Sequence, residues 1–122
     1  MESFYLKKKL HEINLNFSSK RTNMYEPSEK VIKTFLRKNW KIKDGFIDRN
    51  VTMIVTPKVR DEVRKHFECP TLEGAELEDQ GEIGTKFTHW EKRVFENEAM
   101  TGTYTQNSVF SRITFAFLED TG

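Results

Sequence analysis

Cysteine is almost absent from this chain of 122 residues, in which Cys69 stands alone. A single cysteine cannot close an internal disulfide and cannot form a cysteine zinc site by itself. Two interpretations of Cys69 stay open: a small buried apolar residue, or a thiol whose partner lies on sequence outside this chain. The sequence also lacks the ~18 consecutive apolar residues of a transmembrane helix and the apolar run of a signal peptide.

An excess of charge of one sign is missing too. The chain has 20 Lys and Arg against 19 Asp and Glu, which gives a net charge of +1. Nucleic-acid-binding domains usually carry a strong basic excess, so no nucleic-acid partner is predicted. The run Lys7–Lys9 is interpreted as part of a solvated terminus. The sequons at Asn16 and Asn50 matter only if the chain enters the secretory pathway.

The pattern of apolar residues predicts one small α+β domain. Ser28 is suited to cap a helix, and Asp44-Gly45 is a tight-turn signal between two strand-like segments. Thr56-Pro57 favours the start of another helix, and Asn107 or Ser108 is expected to cap the last one. We therefore predict helices near 28–39, 57–67 and 108–120 and a small sheet from 40–55.

Residues 70–103 are predicted to form a mostly irregular segment, because Gly74, Gly81 and Gly84 interrupt it. We expect a helical turn near 75–77 and a short helical or bridging turn over 90–95. A long irregular segment inside a compact domain is often functional. Residues 1–24 show no clear period, and we expect them to form a flexible lead-in.

The chemistry of this sequence depends on its three histidines. A His-Glu-x-x-His zinc motif starting at His11 would need a histidine at position 15, which is Leu15, so His11 is interpreted as an exposed polar residue. His66 is expected in the last turn of a helix, where the helix dipole favours its charge. His89, beside Trp90, would on its own be interpreted as structural.

The stretch from Thr88 to Gly102 gives His89 a different context. Met100 follows the histidine by eleven residues, in a predicted tight turn. Imidazole is a common zinc ligand, so this stretch is typical of one half of a zinc site. The other half should be a His-Glu-x-x-His helix, and the chain does not contain one.

A longer pattern surrounds this half-site, in the segments VTMIVTP (51–57), CPTLEGAELEDQG (69–81), GT (84–85), HWEKR (89–93), ENEAMTG (96–102) and SRIT (111–114). Through these segments the chain, from about Tyr25 onward, resembles the leishmanolysin family of zinc metallopeptidases, and in particular its animal branch, the invadolysins. The resemblance implies that 25–122 is part of a peptidase domain, within a metzincin catalytic unit.

The resemblance also implies a Zn²⁺ site that this chain shares with missing sequence. In the family, two histidines and the catalytic glutamate come from His-Glu-x-x-His, and a third histidine shortly precedes the methionine of the Met-turn. His89 matches that third ligand and Met100 matches the Met-turn residue. Glu91 and Glu98 are candidates, by proximity, to orient the imidazole. No catalytic residue is assigned to this chain, because the motif's glutamate is absent.

Three functional hypotheses remain. The favoured one is a segment of a zinc metalloendopeptidase for protein or peptide substrates, inactive without the missing N-terminal part of its domain. The alternative is a catalytically dead protein-interaction or cell-adhesion module. The third is a chain that does not fold stably and exposes Phe110, Phe115 and Phe117. The family suggests membrane-associated, secreted or cytoplasmic forms, and the sequence does not choose among them.

Overall fold

The computed structural model describes residues 28–82 and 84–122, so His11, the Asn16 sequon and the predicted lead-in lie outside the described residues. Within these ranges the sheet is three-stranded and antiparallel, with strand order β1-β2-β3. This confirms the α+β class. No helix of the described part is long and apolar enough to span a membrane. The elements are β1 (Ile32–Ile42), β2 (Gly45–Ile54), α1 (Pro57–His66), β3 (Ala75–Glu76), α2 (Lys92–Phe95) and α3 (Arg112–Asp120).

The predicted helix over 28–39 is wrong. Ser28 does start a turn, because its carbonyl accepts the N–H groups of Val31 and Ile32 at 2.9 and 3.0 Å. From Ile32 onward, however, the chain is β1 and pairs with β2 from Ile32↔Ile54 to Ile42↔Gly45, with a shift of register between Arg37 and Trp40. The spacing of the apolar residues fits a helix face, but their β-branched and aromatic types favour a strand, and pairing with β2 decides between the two. The predicted sheet of 40–55 therefore begins at position 32.

The expected helical turn near 75–77 is also wrong, because Ala75 and Glu76 form β3 against the end of β2. Gly74 allows this close approach. A Cβ atom at position 74 would lie 2.1 Å from the carbonyl oxygen of Ile54. The glycine that indicated an irregular loop in 70–103 thus marks a place where two backbones touch.

The helix predicted over 57–67 is confirmed as α1. Thr56 occupies its N-cap position, but the Thr56 hydroxyl makes no hydrogen bond within the described part of the chain. The carboxylate of Asp120, at the end of α3, caps α1 instead and accepts the N–H groups of Lys58 at 3.0 Å and Val59 at 3.1 Å. His66 lies in the last turn, as predicted, and its side chain is exposed.

The last helix starts later than the predicted range of 108–120. Ser111 caps α3, and its Oγ accepts the N–H of Thr114 at 3.4 Å. Val109 lies outside the helix because its N–H and carbonyl pair with the segment 97–99 at 3.0 and 2.7 Å. Both predicted caps precede Val109 and therefore cannot cap α3.

The hydrophobic core lies where α1 and α3 pack against each other and against the end of the sheet. Phe117 is 1% exposed, whereas Phe110 and Phe115 are 58% and 52% exposed, so only part of the predicted aromatic surface faces solvent. Cys69 is free and half-buried, with its Sγ 3.7 Å from the Thr71 hydroxyl. The buried core residues are Val31, Ile54, Val59, Val63, Ala75, Leu77, Trp90, Phe95, Met100, Ile113, Ala116 and Phe117.

Candidate metal centre at His89 and the Met100 turn

His89 lies in a bend at the start of a strip of backbone, residues 89–91, that pairs with two neighbouring segments. Its carbonyl accepts the N–H of Glu78 at 2.9 Å. The next residue, Trp90, donates its N–H to the carbonyl of Met100 at 2.9 Å and forms single bridges with Leu77 and Thr101. The fold therefore brings the segments that carry His89 and Met100 side by side.

The imidazole of His89 is held through one of its two nitrogens. Nδ1 lies 3.1 Å from the carbonyl oxygen of Thr85 and 3.1 Å from the Thr88 hydroxyl. A carbonyl can only accept, so the proton of the neutral ring is on Nδ1 and the lone pair is on Nε2. No group in the described residues makes a hydrogen bond with Nε2. This ring nitrogen is the one left to bind a ligand.

The described residues do not complete a metal site around His89. No group of three or more His, Cys, Asp and Glu side chains within these ranges includes His89. A catalytic zinc ion usually has three protein ligands and one open position. The part of the chain that the structure describes thus offers one imidazole and no second or third ligand.

Met100 sits in a tight turn. The N–H of Thr101 donates to the carbonyl of Glu98 at 3.2 Å, and the Thr101 hydroxyl donates to the same carbonyl at 2.9 Å. The Met100 side chain is 6% exposed and belongs to the hydrophobic core. The turn thereby fixes the methionine beside the strip that carries His89.

Glu98 is a buried carboxylate that accepts hydrogen bonds from two directions. Oε2 accepts the N–H of Met100 at 3.1 Å, and Oε1 accepts the Thr114 hydroxyl at 2.9 Å and the N–H of Ser111 at 3.3 Å. Burial raises the pKa of Glu98, and these hydrogen bonds oppose that shift. Glu98 makes no hydrogen bond with His89 among the described residues. It positions the turn instead.

Glu91 also points away from the imidazole. Its Oε1 accepts the N–H of Arg93 at 3.3 Å and so caps α2. Burial raises the pKa of Glu91, and repulsion from Glu78 and Asp79 adds to the shift. The Thr85 carbonyl, not Glu91 or Glu98, orients the ring of His89. Sequence reasoning missed this partner because a backbone carbonyl carries no residue-type signal.

The family model for leishmanolysin matches residues 1–122. The chain belongs to the leishmanolysin family. The resemblance seen in the sequence is thereby confirmed. No solved structure matches the chain.

Curated relatives extend this finding. The chain is 58% identical over 104 residues to a leishmanolysin-like peptidase of Caenorhabditis elegans, covering 85% of the chain and 16% of the relative. It is 53% identical over 106 residues to a leishmanolysin-like peptidase of Drosophila melanogaster, and the match covers 87% of the chain and 16% of that relative. A leishmanolysin homolog of Crithidia fasciculata is 33% identical over 72 residues, which is 59% of the chain and 11% of the relative. The chain thus spans about one sixth of the animal relatives it matches.

Proposed function

We propose that this chain supplies one histidine ligand and the methionine turn of a zinc metallopeptidase that cleaves protein or peptide substrates. The observation that carries the proposal is the His89 imidazole, whose Nδ1–H donates to the Thr85 carbonyl and whose Nε2 has no hydrogen-bond partner among the described residues. Histidines that bind metals usually donate their other ring N–H to a carbonyl or carboxylate in this way. Membership of the leishmanolysin family supports the same chemistry.

The imidazole of His89 is a suitable zinc ligand, but it can form only part of a zinc site. Neutral imidazole is a preferred zinc ligand, and a three-ligand catalytic site needs two more protein donors. Those donors and the general base would come from sequence outside this chain, in a His-Glu-x-x-His helix. Zinc held there would lower the pKa of a bound water and polarise the peptide carbonyl. The contribution of this chain is to fix the direction of one ligand.

Met100 and Glu98 support that contribution through the backbone. Glu98 accepts the N–H of Met100 at 3.1 Å, and the Met100 carbonyl accepts the N–H of Trp90 at 2.9 Å. Trp90 directly follows His89, so a shift of the turn would displace the imidazole. We propose that the turn acts as a rigid floor for the metal site and that Met100 does not bind the metal.

Exposed aromatic residues support a contact with the rest of a peptidase domain. Phe46, Phe110 and Phe115 are 67%, 58% and 52% exposed, and the rings of Phe110 and Phe115 lie 6.4 Å apart. Large exposed apolar side chains often mark surfaces that another part of a protein covers. The missing N-terminal part of the domain is the proposed partner, and the isolated chain is expected to be inactive without it.

A chimera tests this function. The matching segment of the Caenorhabditis elegans leishmanolysin-like peptidase, which is 58% identical, would be replaced by residues of this chain. The chimera should retain zinc and hydrolyse an unfolded protein such as casein. His89→Ala should lower zinc affinity and activity by more than the roughly 10- to 100-fold that loss of a residue orienting a ligand costs, because His89 would itself be a ligand.

His66→Ala in the same chimera is the matched control, because His66 is exposed on α1 and should leave both readouts unchanged. A His89→Ala chimera with full zinc content and full activity would refute the proposal.

A further inference from the structure

Three carboxylates meet on the strip next to His89, in a cluster that the zinc chemistry does not use. Ligand oxygens of Glu78, Asp79 and Glu91 all lie within 4.8 Å of one another. Glu78 and Glu91 are 6% and 5% exposed. Buried carboxylates at this distance repel one another, so the arrangement needs a positive charge close by.

Two oxygens of this cluster have no hydrogen-bond donor among the described residues. Oδ1 of Asp79 and Oε2 of Glu91 are both shielded from solvent and accept no hydrogen bond, although the Arg49 guanidinium lies 4.0 Å from Oε2. The other oxygens are engaged: Glu78 accepts the N–H groups of Gln80 and Lys92 at 3.1 and 3.3 Å. Ionised carboxylate oxygens only accept, and burying one without a partner is costly. A bound cation would satisfy both free oxygens.

The charges around the cluster do not balance. Arg49 lies 2.5 Å from Asp79, 3.8 Å from Glu76 and 4.0 Å from Glu91, and Arg93 also pairs with Glu76. Among the described residues, four carboxylates, with Glu78, therefore face two guanidinium groups, which leaves a formal charge of −2.

Lys92 does not add to this balance, because its Nζ is directed to the Glu96 carbonyl and to the Thr105 hydroxyl at 2.6 Å. The remaining charge matches one divalent cation.

We infer that Glu78, Asp79 and Glu91 form a second metal site, for a divalent cation that prefers oxygen ligands, and that this cation is Ca²⁺. Carboxylate oxygens favour Ca²⁺, Mg²⁺ or Mn²⁺ over zinc. Ca²⁺ tolerates irregular coordination, whereas Mg²⁺ demands a near-ideal octahedron. Glu78 and Glu91 line an open groove of about 650 Å³ that leads to solvent, and its lining also includes the oxygen-bearing side chains of Gln80 and Thr103 and the cations Arg49, Lys92 and Arg93.

A terbium titration of the purified 122-residue chain tests the site. Tb³⁺ replaces Ca²⁺ on oxygen ligands, and Trp40 is close enough to sensitise it, since its ring lies 5.1 Å from the Arg49 guanidinium. We expect saturable luminescence that Ca²⁺ displaces at about 10⁻⁴ to 10⁻³ M, because Arg49 offsets part of the ligand charge. Circular dichroism would confirm that each variant keeps the fold.

Two substitutions should act in opposite directions. Asp79→Asn removes one charge from a half-buried residue and should weaken Ca²⁺ binding roughly 10-fold, because affinity follows ligand charge. Arg49→Gln removes the competing cation and should tighten binding roughly 3-fold or more. A purely structural role for the cluster would not produce this tightening.

Asp61→Asn, on an exposed carboxylate of α1, is the matched control. His89→Ala separates this site from the proposed zinc centre and should leave the Ca²⁺ titration unchanged. The inference is overturned if the wild-type chain gives no saturable terbium signal. It is also overturned if Asp79→Asn titrates like Asp61→Asn.

Discussion

A buried hydrogen bond of 2.9 Å joins the indole N–H of Trp90 to the hydroxyl of Thr114. The same hydroxyl donates to Glu98 at 2.9 Å, and Glu98 accepts the N–H of Met100 at 3.1 Å. A continuous set of hydrogen bonds thus connects the residue after His89 with the methionine turn and with the first turn of α3. These partners are far apart in sequence, and the buried polar network holds them in one arrangement.

Thr114→Val should destabilise the chain by about 2 kcal/mol. The substitution keeps the side-chain shape but leaves the Trp90 N–H buried without an acceptor, which typically costs about 1–3 kcal/mol. The free energy of unfolding from urea titration measures the effect. Thr103→Val, on an exposed residue of the same type, is the control. Equal stabilities of the two variants would show that the network contributes nothing.

The buried carboxyl of Glu98 should make stability depend on pH. Burial raises its pKa in the folded state, so the folded chain holds this proton more tightly than the unfolded chain does. Its stabilising contribution is therefore complete below the unfolded pKa of about 4.3 and is lost as the pH rises through the folded pKa.

Comparison with Glu98→Gln isolates that contribution, because the amide does not titrate. The free energy of unfolding of the wild type, relative to Glu98→Gln, should fall as the pH rises from about 4 to 7. Urea titrations at several pH values measure this difference. Glu96→Gln, on an exposed residue, is the matched control. A difference that grows with pH would contradict this prediction. It would mean that the hydrogen bonds to Glu98 lower its pKa by more than burial raises it.

Local signals in the sequence predicted α1 correctly, because Thr56-Pro57 acts within one turn of chain. They failed for 28–39, where the same apolar residues fit a helix or a strand and the choice depends on pairing with β2. The residue that caps α1 could not be predicted from the sequence either. It comes from Asp120, which is brought there only by the packing of α3 on α1.

Part of the candidate site could be predicted from the sequence, and part depends on tertiary packing. His89 and Met100 belong to a continuous stretch, so their spacing could be recognised in the sequence. The Thr85 carbonyl that orients the imidazole is a backbone group with no residue-type signal. The carboxylate cluster includes Glu91 from a separate segment, and its charge balance involves Arg49 of β2. That arrangement arises from tertiary packing, which the pattern of residue types does not show.

Asp120→Ala should cost about 1–2 kcal/mol, because it removes the carboxylate that caps α1. Lys58 and Val59 both donate their N–H groups to this side chain. Glu119→Ala is the control: its ion pair with Lys58 at 3.0 Å is exposed and should contribute well under about 1 kcal/mol. Thermal unfolding of the two variants would compare them. A smaller loss for Asp120→Ala than for Glu119→Ala would contradict the assignment of the cap.

Zinc binding by the isolated chain should be weak, because His89 is the one imidazole that the described residues place at the proposed centre, and catalytic zinc needs about three protein ligands. Calorimetry at neutral pH should show no high-affinity step of one zinc per chain, and peptide hydrolysis should be absent. His89→Ala should remove the weak heat that remains at the imidazole, while His66→Ala should not. Zinc that survives in His89→Ala but is lost in Asp79→Asn would belong to the carboxylate cluster. Tight stoichiometric binding that disappears in His89→Ala would contradict the half-site, since it would show that further ligands within this chain complete it.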